Sequence, residues 1–352
     1  MSKIEEAIVQ ADLEQEIIAL RKANLNLQTK LIKAKSKVDD LVAATQEAAY
    51  EAVISLGNKP ALSPKKDNRK ARAQVALWHL TDWQGGKKTP TYNSEVMAER
   101  VSLFIERAEK LTNAQRQDHP VKHCVIAFGG DMVEGVSFNF PTQPFEIDQT
   151  IFGQYVTVSK TIVETVKHAL RIYETVTVIP EWGNHGRIGS TRDVVPRSDN
   201  FDRMVYELAK QVLAGEPRLT WQDCPEDIQR IWIPPNTAAG KGYKALLIHG
   251  DEIGRNGFAS PSTLVSAVAR WQSGAYPWEF TDVYTGHYHN HLEFSLPNGM
   301  GSVYQTGSTE SENRYASVLL AATAVPSQRL HFIDPDKGRV TTTHKVWLDE
   351  RS

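Results

Sequence analysis

The chain has 352 residues, of which 41% are hydrophobic and 23% are charged, which is the composition of an ordinary soluble protein. Its formal net charge of −2 excludes a strong overall field toward nucleic acid or anionic membrane, although a local basic patch would suffice for nucleic acid. No apolar run approaches the roughly 18 residues of a membrane-spanning helix, and the acidic N-terminus is unlike a signal peptide. We therefore expect a cytoplasmic protein with no membrane partner.

The first 56 residues carry the heptad repeat of a coiled coil. Position a falls on Ile17, Asn24, Leu31 and Val38, and position d on Leu13, Leu20, Leu27, Ala34 and Leu41. This repeat predicts a coiled-coil oligomerisation helix over residues 1–56, and a single asparagine at position a favours a parallel dimer with a second copy of the chain. One amphipathic helix packed on its own domain is the alternative.

Residues 57–73 follow with the sequence GNKPALSPKKDNRKARA. The prolines, the glycine and the lysine and arginine residues predict a flexible basic linker. Its charge is suited either to a solvated tether or to contact with a phosphate backbone.

From residue 74 the pattern changes to short apolar runs separated by helical stretches, and we predict one catalytic domain over residues 74–352. The predicted strands are QVALWHLTD, KHCVIAFGGD, TVTVIPEWGNH, YKALLIHGDE and FTDVYTGHYHN, and helical periodicity lies mainly between the first three. The remainder of the chain is mostly strand. Alternating strands and helices predict an α/β fold.

Polar residues beside glycine follow each of the five strands. They are Asp82 and Gln84, then Asp131, then Asn184 and His185, then His249, and finally His287 and His289. Ligand sites of α/β sheets collect at the carboxyl ends of strands, so we expect these side chains to converge. Aspartate, asparagine and histidine without a thiol suit Mn²⁺, Fe²⁺ or Zn²⁺, and one aspartate between two ions gives a two-metal site.

The order of these motifs, Asp-x-Gln, Gly-Asp, Gly-Asn-His, His-Gly and Gly-His-x-His, resembles the calcineurin-like metallophosphoesterases over residues 76 to about 312. The resemblance implies a four-layer α/β/β/α sandwich that holds two divalent metal ions. It assigns Asp82, Gln84 and His289 to the first metal, Asp131 to a bridge, and Asn184, His249 and His287 to the second metal. It also implies that His185 is the catalytic histidine, while His291 lies outside the motif.

Gln84 departs from the family pattern, which usually has histidine at that position. A neutral amide oxygen is a harder and weaker ligand than imidazole, so we expect Mn²⁺ in preference to Zn²⁺, with Mg²⁺ and Fe²⁺ as alternatives. Arg187 follows the Gly-Asn-His motif. It is placed either to bind a substrate phosphate or to pair with Asp193 at the surface.

The metal motifs indicate phosphoester hydrolysis without naming the substrate. A DNA phosphodiesterase, resembling the repair-exonuclease branch, is favoured by the dimerising helix, the basic linker and the long irregular stretch after Asp131. Aromatic residues that could stack on bases are Trp83, Phe138, Phe140, Trp182, Trp271 and Trp278. A phosphatase or phosphodiesterase for a protein, nucleotide or other small substrate fits the neutral charge better. A non-catalytic coiled-coil scaffold is favoured only by Gln84.

Overall fold

The computed structural model describes residues 43, 47, 50, 51, 54, 61–69, 72–136, 145–188, 198–224, 226–253, 260–297, 301–312 and 325–349. The chain divides into two compact units, Met1–Glu51 and Ala52–Ser352. In the first unit, the four described residues are helical. The heptad positions from Leu13 to Leu41 lie outside the described residues, so the coiled coil stays a prediction.

Two β-sheets form the second unit. The first sheet has the strand order β11 (Arg339–Trp347), β10 (Ser327–Asp334), β1 (Gln74–Leu80), β2 (Val121–Gly129), β3 (Thr175–Glu181) and β4 (Leu219–Trp221). The second has the order β5 (Gln229–Ile233), β6 (Tyr243–Leu247), β7 (Asp282–Thr285), β9 (Ser302–Gln305) and β8 (Leu292–Ser295). Strands β1 to β4 are parallel, as are β6, β7 and β9, while β5, β8, β10 and β11 pair antiparallel to a neighbour.

The alternation of side chains along β1 explains the layers. Val75 and Leu77 join a buried cluster with residues of both sheets, so this face lies between the sheets. Trp78 points the other way and packs edge-on against Phe104, with 5.4 Å between ring centroids. Phe104 belongs to α1 (Ser94–Gln115). Three further α-helices whose bounds the structure describes are α2 (Ile151–Ile172), α3 (Phe201–Val212) and α4 (Pro261–Arg270).

Helix α4 packs on the other face of the second sheet through Leu264 and Val268. Helices α2 and α3 contact β3 in the first sheet, so the layers run helices, sheet, sheet, helix. This is the α/β/β/α order expected from the sequence. Among the described residues, no helix combines the length and apolarity needed to cross a membrane.

Each of the four helices begins at a polar residue whose side chain accepts a backbone N–H of the first turn. These capping residues are Asn93, Thr150, Asn200 and Ser260. Such caps satisfy N–H groups that have no partner inside the helix, and they fix where the helix starts.

Residues 61–69 differ from the flexible tether expected of their composition, because they lie on the catalytic unit. Arg218 Nη2 donates to the Ala61 carbonyl at 3.0 Å, and the Asp67 N–H donates to Glu174 Oε1 at 3.0 Å. Arg69 Nη2 donates to the Arg116 carbonyl at 2.8 Å. The partner residues precede β2, β3 and β4, so this segment lies at the amino ends of the strands, opposite their carboxyl ends.

Candidate metal centre

The predicted site residues converge at the carboxyl ends of strands from both sheets. His249 Nε2 lies 3.0 Å from Asp131 Oδ2 and 3.1 Å from Asn184 Oδ1. His289 Nε2 lies 3.2 Å from Asp82 Oδ1. Turns that follow β1, β2, β3, β6 and β7 therefore meet at one point, as the strand-end argument expected.

Four of these side chains, Asp131, Asn184, His249 and His287, form a group that we call the Asp131 centre. Ligand atoms of Asp131, His249 and His287 all lie within 4.8 Å of one another. A carboxylate, an amide oxygen and two imidazoles suit a divalent ion of the Mn²⁺, Fe²⁺ or Zn²⁺ type. Neighbouring ligands about 2.1 Å from such an ion lie about 3 Å apart, which is the spacing around His249 Nε2.

The buried carboxylates at this point are consistent with a bound cation. Asp82 Oδ1 and Asp131 Oδ2 are buried, and among the described residues neither receives a hydrogen bond of good geometry. Both face imidazole nitrogens at metal-ligand spacing. An ionised oxygen withdrawn from water without compensation is costly, so the residues present fit a metal ion.

Backbone strain is concentrated in the same turns. The left-handed region, with φ between 45° and 68°, is adopted by Asp82, Gln84, Asp131, His287 and His289. Only two other non-glycine residues in the described chain, Arg72 and Glu312, have positive φ. Strained backbone persists where surrounding structure enforces it, commonly at functional sites. The local sequence patterns did not indicate this strain.

Two glycines allow the turns to approach each other. A Cβ at Gly183 would lie 2.0 Å from Asp131 Oδ1, and a Cβ at Gly286 would lie 2.3 Å from Asp82 Oδ2. No side chain fits at such distances. The Gly-Asn-His motif therefore requires glycine at position 183, and the Gly-His motif requires it at position 286, because each turn passes close to an aspartate.

Asp202, at the start of α3, organises two of the turns and was missed by the sequence argument. Its carboxylate accepts the backbone N–H groups of Asp131, Met132, Val133 and Gly183, at 2.8, 2.9, 3.1 and 2.9 Å. Burial, together with the charge of Asp131, raises the pKa of Asp202 to about 6. The sequence around it reads as an ordinary helix start, so only the fold reveals this role.

His185 is held with one nitrogen toward the centre. Its Nδ1 lies 3.2 Å from Glu134 Oε2, and its Nε2 lies 3.9 Å from Asp131 Oδ2. Burial lowers the pKa of His185, but the charges of Glu134 and Asp131 outweigh burial and raise it overall. Glu134, which follows Asp131 by three residues, is a second residue that the sequence argument missed.

The other imidazoles also lie in a field of carboxylates. Burial lowers the pKa of His249, but Asp131 more than reverses this effect. Burial also lowers the pKa of His289, but the charges of Glu310 and Asp82 outweigh burial and raise it to about 10. Charges that draw protons to imidazoles also draw divalent cations, since both neutralise the same carboxylates.

Arg187 contacts Asp251 through one guanidinium nitrogen. Asp193, the alternative surface partner, lies outside the described residues. The Arg187 side chain is 10% exposed, and its Nε has no hydrogen-bond partner among the described residues. Arg187 follows His185 by two residues, and its partner Asp251 follows His249 by two. Its remaining donors suit a phosphate oxygen.

The remaining candidates are the six aromatic residues and His291. Trp83 and Trp182 are 0% and 1% exposed, so they are core residues rather than surfaces for stacking. Trp271 and Trp278 pack at the edge of the cluster around α4. Phe138 and Phe140 lie outside the described residues. His291 donates to or accepts from Ser327 Oγ at 2.8 Å and is not part of the Asp131 centre.

No family model and no curated protein matches the sequence. Among solved structures, similarity is found to Vps29 from Entamoeba histolytica in complex with zinc, at 12% identity and a TM-score of 0.35. The match covers 78% of this chain and 99% of that chain. A predicted phosphoesterase from Streptococcus pneumoniae matches at 10% identity and a TM-score of 0.28, over 78% and 99%. A putative 5′-nucleotidase from Staphylococcus aureus matches at 9% identity and a TM-score of 0.36, over 80% and 55%.

These structures have the calcineurin-like metallophosphoesterase fold that the motifs of this chain resemble. Every one of the three TM-scores is below 0.5. The functional assignment therefore depends on the residues of the Asp131 centre and on their geometry.

Proposed function

We propose that the chain is a divalent-metal-dependent phosphoester hydrolase. The observation that carries the proposal is the Asp131 centre, whose ligand atoms lie at metal spacing beside His185. Asp131, Asn184, His249 and His287 would hold the ion, and Mn²⁺ is the first choice among Mn²⁺, Mg²⁺, Fe²⁺ and Zn²⁺. Ions at such sites supply an activated water at neutral pH and neutralise charge on the phosphate.

The chain's own residues supply the remaining steps. Glu134 fixes His185 through Nδ1, which leaves Nε2 facing the centre. A histidine held in this way donates a proton to the leaving oxygen, and a positioned acid contributes about 10²–10⁴-fold to the rate. Arg187 binds a non-bridging oxygen with the donors that Asp251 leaves available.

For the substrate, we propose a DNA phosphodiester, supported by an exposed aromatic and cationic surface on the second sheet. Trp232 is 46% exposed, with Lys244 Nζ 5.8 Å from its ring centroid. Trp278 has the Arg230 guanidinium at 5.8 Å and Lys244 at 5.9 Å. Cations beside indole rings suit a single strand, whose bases stack and whose phosphates pair with the cations.

A phosphatase or phosphodiesterase for a small substrate is the second candidate. Burial of Trp83 and Trp182 favours it, because these two aromatic residues next to the centre are unavailable for stacking. The position of residues 61–69 at the amino ends of the strands favours it too, since a basic segment there is distant from the centre. The surface of Trp232, Lys244 and Trp278 lies beside the amino ends of β6 and β7, so the same argument applies to it.

One substrate panel separates the candidates. Single-stranded DNA, bis-p-nitrophenyl phosphate and p-nitrophenyl phosphate are each incubated with the full chain and Mn²⁺, with His249→Ala as the control for contaminating enzymes. Cleavage of DNA and of the diester supports the DNA phosphodiesterase. Cleavage of the monoester without DNA cleavage replaces it by a phosphatase, and no cleavage of any substrate by the wild type contradicts the hydrolase proposal.

A further inference from the structure

Lys87 is a buried lysine next to the predicted first metal position. Its side chain is 7% exposed, and its Nζ lies 2.9 Å from Glu310 Oε2 and 3.8 Å from Glu134 Oε2. The same ammonium donates to Gln84 Oε1 at 3.1 Å. A buried lysine is stable only when it is paired, and here two carboxylates and an amide oxygen share the charge.

The contact with Lys87 determines which way the Gln84 amide faces. An ammonium group has three donors and no acceptor, so it requires the oxygen of the amide. The amide nitrogen then points into the site, 3.2 Å from His289 Nε2 and 3.5 Å from His185 Nε2. Turning the amide over would set an NH₂ group against the ammonium. An amide NH₂ has no free lone pair and does not ligate a metal.

The contacts close into a ring. Lys87 donates to Gln84, the Gln84 amide nitrogen meets His289 Nε2, His289 Nδ1 lies 3.2 Å from Glu310 Oε1, and Glu310 returns to Lys87. His289 Nε2 is engaged in either protonation state. When neutral it accepts from Gln84, and when protonated it faces Asp82 Oδ1 at 3.2 Å.

A second, independent observation concerns ligand spacing. In the part of the chain that the structure describes, Asp131, His249 and His287 are the one group of three histidine, cysteine or acidic side chains with ligand atoms within 4.8 Å of one another. Asp82, Asp131 and His289 do not form such a group. The first position thus has Asp82 Oδ1 and His289 Nε2 at 3.2 Å but, among the described residues, no third histidine, cysteine or acidic ligand at the spacing of the Asp131 centre.

We infer that Lys87 holds Gln84 as a hydrogen-bond donor rather than a metal ligand, so that the chain binds one divalent ion, at the Asp131 centre. This inference rests on the proposed function and departs from the two-ion site that the sequence resemblance implies. Lys87 is a positioning residue in this arrangement, because it acts through Gln84. The amide NH₂ then lies beside His185, where it can donate to a phosphate oxygen.

The test is the number of Mn²⁺ ions bound per full-length chain, measured by isothermal titration calorimetry and by elemental analysis after gel filtration. The wild type is expected to bind one ion. Gln84→Glu retains an oxygen for Lys87 and presents a second oxygen to the site, so it is expected to bind two. Gln84→Met removes the amide and is expected to bind one ion, with a dissociation constant within about threefold of the wild type.

The outcomes separate this inference from the proposed function. Two ions bound by an active wild type would overturn the inference and leave the hydrolase standing. One ion bound by a wild type that cleaves no ester would leave the inference standing and overturn the hydrolase. A tenfold loss of affinity in Gln84→Met would also overturn the inference, because it would make Gln84 a ligand. Both variants keep Lys87 and its carboxylate partners, so both are expected to fold. Circular dichroism checks this.

Discussion

His185 is the residue with the most specific chemical assignment. His185→Ala is expected to lower kcat for a phosphodiester by about 10²-fold or more, because a positioned acid is lost. Mn²⁺ affinity is expected to stay within about threefold, since the contact of residue 185 with Asp131 Oδ1 is made by the backbone N–H, at 2.7 Å. Steady-state kinetics and calorimetry give the two values.

His168→Ala is the matched control, because His168 is half-buried on α2 and its hydrogen bonds, with the Glu164 carbonyl and Arg171, stay within that helix. Unchanged kcat in His185→Ala would remove this residue from the mechanism. A large loss of Mn²⁺ affinity would instead make it part of the metal centre.

At the residue scale, the sequence predicted which side chains meet but not what supports them. Asp131, Asn184 and His249 each follow an apolar strand, and a glycine lies beside each of them. This pattern can be read from the amino-acid sequence. Asp202 and Lys87 have no such pattern, because their partners are backbone groups or side chains brought together only by the fold. Support of this kind depends on three-dimensional contacts, and no local motif encodes it.

The turns between strands and helices are the elements that decide whether the site forms. Gly183→Ala is expected to abolish measurable Mn²⁺ binding and to lower the free energy of unfolding by about 2–4 kcal/mol, as overpacking and lost contacts do. The reason is the 2.0 Å distance between the added Cβ and Asp131 Oδ1. Calorimetry and urea denaturation provide the measurements.

Gly215→Ala is the control for the effect of adding a methyl group, because a Cβ there meets nothing within 4 Å. Wild-type Mn²⁺ affinity in Gly183→Ala would show that the turn after β3 does not need to approach Asp131 closely.

At the element scale, apolar periodicity predicted β1, β2, β3, β6 and β7 and helical stretches mainly between the first three of these strands. The pairing of β10 with β1 could not be predicted, because it joins residues such as Val75 and Ile333 that are far apart in sequence. The position of residues 61–69 was missed for a related reason. Composition predicts flexibility, whereas Arg218 and Glu174 supply hydrogen bonds that only the folded unit presents.

The interface between the two sheets contains a histidine that makes the whole molecule sensitive to acid. His79 is fully buried, with its ring 5.3 Å from that of Tyr284, and among the described residues neither ring nitrogen has a hydrogen-bond partner. Burial, together with the charge of Arg329, lowers the pKa of His79 to about 3. Between the ordinary value of about 6.5 and this value, the unfolded chain binds a proton that the folded chain does not.

The free energy of unfolding is therefore expected to fall as the pH drops from about 6.5 toward 4, by about 1.4 kcal/mol per pH unit for this proton. His79→Leu is expected to remove that one-proton contribution from the pH dependence. Urea denaturation at several pH values gives the slope, with His168→Leu, at a half-buried position on α2, as the control. An identical slope in His79→Leu and wild type would contradict the assignment.

Assembly of the whole molecule is predicted to depend on the N-terminal heptads. Deletion of residues 1–56 is expected to convert a dimer into a monomer, because the apolar positions from Leu13 to Leu41 are removed while residues 61–69 keep their contacts. Multi-angle light scattering measures both masses. An oligomeric truncated chain would show that another surface holds the assembly.

The central claim is that turns from both sheets build a metal centre around Asp131. Anomalous diffraction from crystals of the full chain grown with Mn²⁺ tests this claim most directly. The account predicts a single strong peak about 2.2 Å from ligand atoms of Asp131, Asn184, His249 and His287, with Gln84 turned toward Lys87. The absence of a peak among these four side chains, in crystals that hold Mn²⁺ elsewhere, would contradict it.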